Sequence, residues 1–78
     1  VSFYVTVRES ASPTARWGRL VGPFVEHGEA LEWVDAARRA ALTVDPEAHW
    51  YFYGTAEVAT TLPGKLNRLV GYVPEARP

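Results

Sequence analysis

The sequence predicts a small α+β domain, ordered ββαββ, in which a four-stranded and mainly antiparallel sheet carries one helix on one face. Three observations point to this class. Segments of period-two alternation, rich in aromatic and β-branched residues, stand towards both ends of the chain. One stretch of helical periodicity separates them. The two ends also align with each other without a gap, as two copies of a duplicated β-hairpin would. The 78 residues suit a single domain, 1–78, with a hairpin over 2–25, a helix over 28–44 and a hairpin over 49–73.

The first strand is Ser2 to Arg8 (SFYVTVR), where apolar and polar residues alternate. The small, polar, proline-containing stretch ESASPTAR reads as a loop. A second strand follows over Trp17 to Val25, and Pro23 should end it or hold it at an edge, because proline donates nothing to a ladder. From Gly28 the period changes. Ala30, Leu31, Val34, Ala37, Ala41 and Leu42 recur at three and four, which makes one apolar face of a helix. Glu29, Glu32 and Asp35 stand early and Arg38 and Arg39 late, as the helix dipole favours, and Asp35 with Arg39 forms an i, i+4 pair. Asp45-Pro46 stops the helix, since the residue before proline is pushed out of the α region. His49 to Val58 is a third strand, Leu62-Pro63-Gly64-Lys65 suits a type II turn, and Leu66 to Val73 is a fourth strand.

The repeat lies at an offset of 49, where RLVGPFVE at 19–26 meets RLVGYVPE at 68–75. Phe3, Tyr4 and Thr6 likewise meet Phe52, Tyr53 and Thr55. That makes eight identities in 29 aligned positions, where composition alone supplies about two. Under this reading the first copy is ββα and the second ββ, so one helix serves four strands. Strands lie about 4.8 Å apart and a helix is about 10 Å across. Apolar sheet is then left over, and a homodimer would cover it.

Alternation divides the strands into two faces. The predicted core face carries Phe3, Val5, Val7, Leu20, Phe24, Trp50, Phe52, Ala56, Val58, Leu69 and Val73, packed against Leu31, Val34 and Ala37. The opposite face would hold Tyr4, Thr6, Arg8, Arg19, Val21, Tyr51, Tyr53, Thr55, Glu57, Arg68, Val70 and Tyr72. Tyr and Thr suit any half-exposed sheet, but Tyr and Arg are also the side chains enriched at binding hot spots. Tyr4, Arg8, Arg19, Tyr51, Tyr53, Arg68 and Tyr72 are therefore the candidate partner-binding residues.

Little in the chain suggests catalysis, a metal or a cofactor, and none is expected. There is no cysteine, which excludes disulfides and thiolate chemistry. His27 and His49 stand singly at element ends, Ser10, Ser12 and Thr14 lack a base in any recognisable motif, and Gly18, Gly22 and Gly28 are not at phosphate-loop spacing. Gly22 and Gly71 instead suggest a bulge or a close backbone approach. Ile, Gln, Cys and Met are absent, the bias of a GC-rich coding sequence. No apolar run reaches the roughly 18 residues that span a bilayer, and the start lacks the form of a signal peptide. The expectation is a cytoplasmic protein without membrane association.

Residues 19–38, RLVGPFVEHGEALEWVDAAR, resemble the strand-to-helix phrase of SPOR repeats, in which VGPF and a short polar break precede an Ala-rich amphipathic helix. That resemblance implies glycan binding on a sheet face. SPOR repeats also place a helix after their first strand, where this chain has ESASPTAR, and no binding residue is carried over. The expected function is that of a small, non-catalytic accessory protein of bacterial or phage type that dimerises or docks on a macromolecular partner through the Tyr/Arg face. The alternative is a nucleic-acid-binding regulator using the same face, which the net charge of −1 disfavours.

Overall fold

The computed structural model describes residues 2–10, 14–15 and 17–74. Three strands form one antiparallel sheet: β1 (Ser2–Arg8), β2 (Trp17–Phe24) and β3 (Phe52–Val58), in the order β2-β1-β3. The outer strands run parallel to each other, and the chain crosses between them through α1 (His27–Glu32), α2 (Val34–Val44) and a 3-10 turn at Pro46–Trp50. A last helical turn, α3 (Asn67–Val70), follows β3. The protein is thus a small α+β fold with a three-stranded sheet.

The predicted fourth strand over 66–73 is replaced by a loop and α3, so the ββαββ order gives way to ββααβα. Arg19-Leu20-Val21-Gly22 is strand, whereas Arg68-Leu69-Val70 belongs to α3 and Gly71 caps it with φ 77°. The repeated words therefore fold differently, and the duplicated hairpin is not a structural repeat. Glu26 has its counterpart at Glu75, outside the described residues.

The reason is visible in the backbone bonds. Gly64 N donates to Gly22 O at 3.1 Å, Lys65 N to Arg19 O at 3.0 Å and Leu66 N to Leu20 O at 2.7 Å. Three amides of the incoming chain thus satisfy the outer edge of β2 before α3 begins. Gly64 lies so close that a Cβ there would meet Leu20 C and O at 2.6 Å. Its φ is not positive, so Pro63-Gly64 does not make the type II turn; glycine is needed here for close approach.

Buried Asn67 completes the attachment: Gly22 N donates to its Oδ1 at 2.9 Å while its Nδ2 donates to Gly22 O. Gly22 itself has φ 142°, and a Cβ there would strike the Tyr4 ring at 2.6 Å. The register of β1 on β2 shifts next to this point, between Phe3 and Val5 and again between Val5 and Thr6. The expected bulge or close approach is thus found at Gly22.

The core lies between the sheet and the helices. Val5, Val21 and Phe24 are fully buried with Ala30 and Ala37, and Leu20 borders them. Each large side chain contributes about 1.5–3 kcal/mol of burial. Tyr72 donates to Pro23 O at 2.9 Å and packs its ring against Phe24 and Trp33, with centroids 4.5 and 5.2 Å away. Trp33 is also where the predicted continuous helix divides: its N–H bonds back three residues to Ala30 O, and α2 restarts at Val34. Ala37 packs inward as expected, but Leu31 is 54% exposed.

The Asp45-Pro46 stop appears as predicted, and Asp45 then caps the 3-10 turn by accepting from Glu47 N. That turn occupies the start of the predicted third strand, so β3 begins at Phe52. Asp35 and Arg39 pair at 3.1 Å while largely exposed, a contribution of a few tenths of a kcal/mol. Among the described residues no helix is long and apolar enough to cross a membrane.

Truncation of Asn67 tests the attachment. Asn67→Ala leaves the Gly22 amide unsatisfied and should cost about 1–3 kcal/mol in urea unfolding. Leu69→Ala, on the same turn but 52% exposed, should change stability by only about 0.5 kcal/mol or less.

Candidate functional site

Strand register decides which side chains share the face away from the helices. Arg8 pairs with Trp17 on one side and Phe52 on the other, and Thr6 pairs with Arg19 and Gly54. Tyr4 is opposite Ala56, and Ser2 opposite Val58. Directly paired residues point to the same face. The open face therefore bears a row Trp17–Arg8–Phe52, then Arg19–Thr6–Gly54, then Tyr4 and Ala56.

This corrects the predicted faces for β3. Phe52, Ala56 and Val58 were expected in the core, yet they share the open face; Tyr53, Thr55 and Glu57 point to the helix side. A slip of one residue exchanges every side chain of a strand, and both sets on β3 contain an aromatic. The difference is made by partners beneath the helices. Tyr53 donates to Ala48 O at 2.7 Å, and Thr55 Oγ1 lies 2.8 Å from His27 Nε2. Val21, too, faces the core, because the irregular register beside Gly22 turns it inward.

The seven candidate residues consequently do not form one surface. Tyr4 is fully buried, because the segment after β3 crosses above it: its hydroxyl donates to Leu62 O at 2.7 Å, with Thr60 O at 3.2 Å. Arg19 stacks its guanidinium over that ring, 5.8 Å from the centroid, with a buried Nε that has no hydrogen-bond partner among the described residues. Tyr51 donates to Asp45 Oδ2 at 2.9 Å, Tyr53 is under the helices, Tyr72 is in the aromatic cluster, and Arg68 is exposed on α3. Arg8 alone of the seven remains exposed on the open face.

Around Arg8 the sheet is uncovered. An open groove of about 620 Å³ is lined by Thr6, Arg8, Trp17 and the run from Phe52 to Ala59. Trp17 is 50% and Phe52 54% exposed. Gly54 contributes no side chain, and a Cβ added there would meet nothing within 4 Å. Arg8 makes no ion pair among the described residues. The arrangement is a guanidinium between two aromatic rings that lie two strand spacings, or about 10 Å, apart. Alternation places Phe52 in the core and gives Trp17 no face, so the sequence pattern does not single out either ring. The hot-spot preference for Trp beside Arg was the signal available for Trp17.

The histidines serve different neighbours. His27 approaches Thr55 and the Phe3 ring, while His49 stands edge-on to Trp50. No group of three or more potential metal ligands is found among the described residues.

Electrostatics follows burial. Burial raises the pKa of Tyr4, with Arg19 opposing, and raises that of Tyr53, with Arg38 opposing and Asp45 adding. Tyr51 is raised chiefly by its hydrogen bond to Asp45. A folded-state pKa above that of the unfolded chain means that, beyond about pH 10, the unfolded chain releases protons first and is favoured. Stability should be unaffected by these groups below that pH and should fall as pH rises through the raised values. Tyr4→Phe should flatten part of this alkaline loss in unfolding midpoints measured against pH. An unchanged slope would mean that Tyr4 ionises as freely in the folded protein as in the unfolded one.

No protein-family model matches this chain, and comparisons with curated proteins and with solved structures give no match.

Proposed function

We infer that this protein is a non-catalytic interaction module that docks on a protein partner through the row Trp17–Arg8–Phe52. The observation that carries this reading is an exposed guanidinium, without an ion pair among the described residues, set between two half-exposed aromatic rings on an uncovered part of the sheet face. Exposing two large rings brings no folding benefit, whereas aromatic and Arg side chains dominate interface energetics when desolvated. The complementary partner is a segment presenting a carboxylate to Arg8 with apolar side chains on either side.

A nucleic-acid partner is the second reading, favoured by the same rings, on which bases stack, with Arg8 at a phosphate. One cationic side chain in the row and a net charge of −1 make this the weaker of the two.

Trp17→Ala and Phe52→Ala should leave the unfolding midpoint nearly unchanged and reduce partner affinity by about tenfold or more. The measurement compares partner recovery by tagged wild type and by each variant, with and without nuclease. Nuclease-resistant recovery that the variants lose supports protein docking. Loss on nuclease treatment transfers the site to nucleic acid, and recovery by the variants equal to wild type removes the row from the function.

A further inference from the structure

The two edges of the sheet are treated differently by this chain. The outer edge of β2 is occupied by the amides of Gly64, Lys65 and Leu66. Among the described residues β3 pairs only with β1, and no other backbone bond reaches it. All residues from Phe52 to Ala59 line the open groove, and none of them is buried. β3 also lacks the usual protections of a free edge. It has no proline or lysine, its register on β1 is regular through seven residue pairs, and its one charge is Glu57. A regular, nearly uncharged edge with free N–H and C=O groups is a template for a further strand.

We propose that the occupant of this edge is β3 of a second copy, paired antiparallel about a two-fold axis at Thr55. In that register Phe52 meets Val58 on the open face, Gly54 meets Ala56, Tyr53 meets Glu57 on the helix side, and Thr55 meets itself. Each pair is compatible: aromatic with β-branched, small with small, a ring with an aliphatic stem, and Thr with Thr. No like charges oppose each other, because Glu57 meets Tyr53.

The pairing merges two three-stranded sheets into one. It places both Trp17–Arg8–Phe52 rows on the same continuous face, with the two Phe52 residues six positions or about 20 Å apart along the strands. The union therefore makes a two-fold symmetric surface from two single rows. It goes beyond the docking reading and shares Phe52 with it; Trp17 belongs to the far strand and takes no part in the new pairing, so a change there tests docking alone.

Sedimentation of the full chain over a concentration series should show a shift from monomer to dimer. Hydrogen exchange of the β3 amides should slow as concentration rises, while that of the β2 amides stays constant. Thr55→Lys and Thr55→Glu each set like charges against each other at the axis and should weaken self-association by about fivefold. An equimolar mixture of the two should associate more tightly than either alone. Trp17→Ala should dimerise as wild type does, whatever it does to partner recovery. A chain that stays monomeric to its solubility limit overturns the proposal, as does a dimer whose β3 amides exchange as fast as in the monomer. Thr55 variants that both dimerise like wild type overturn the register. If those variants do not fold, the wild-type exchange data decide alone.

Discussion

The exchange of hydrogen bonds between Asn67 and Gly22 is the contact on which the rest of this architecture depends. One amide side chain accepts from the N–H of Gly22 in β2 and donates to its C=O, which Gly64 N also reaches. A buried peptide group without partners costs more than a made bond contributes. The chain after β3 is therefore committed to this edge of the sheet and not to the other. Three consequences follow from the one commitment. β2 acquires a protected edge, Tyr4 is roofed by Thr60 to Leu62, and Tyr72 is delivered to Phe24 and Trp33.

The same commitment shapes the open face. The crossing segment covers the half of it that contains Tyr4 and stops short of the half that contains Arg8. What remains exposed is a short row in which Arg8 has an aromatic ring on each side and bare glycine nearby. The functional reading thus rests on geometry that arises from covering and omission, not on a cluster of reactive groups. Both histidines are engaged locally, and the perturbed tyrosines owe their shifts to burial and to Asp45. The edge of β3 is the other half of the same asymmetry, since the chain that could have covered it was used on β2.

Several features were legible in the residues themselves. Alternation over Ser2–Arg8 marks β1 and its faces, helical spacing of alanines marks α2 and its buried side, and Asp45-Pro46 marks where that helix ends. The Asp35–Arg39 pair is there as well. These are local matters: steric preference, period and charge at fixed spacing act within a few residues. The candidate site was only partly legible. Arg8 was found, but Trp17 and Phe52 were not, and the tyrosines were assembled into a face that the fold does not make.

What the residues by themselves determined is the kind of each strong element and the class of surface chemistry, rich in aromatic and arginine side chains. Tertiary structure alone decided the rest. Period two says that β3 has two faces but not which is buried, and Ala48 of the 3-10 turn and His27 of α1 select Tyr53 and Thr55 for the inside. RLVG is strand beside β1 and helix after Leu66, because four residues cannot outweigh the partners their backbone groups find. The repeated phrase that most suggested a fourth strand instead supplies the turn that follows Asn67, whose clamp closes the sheet on one side.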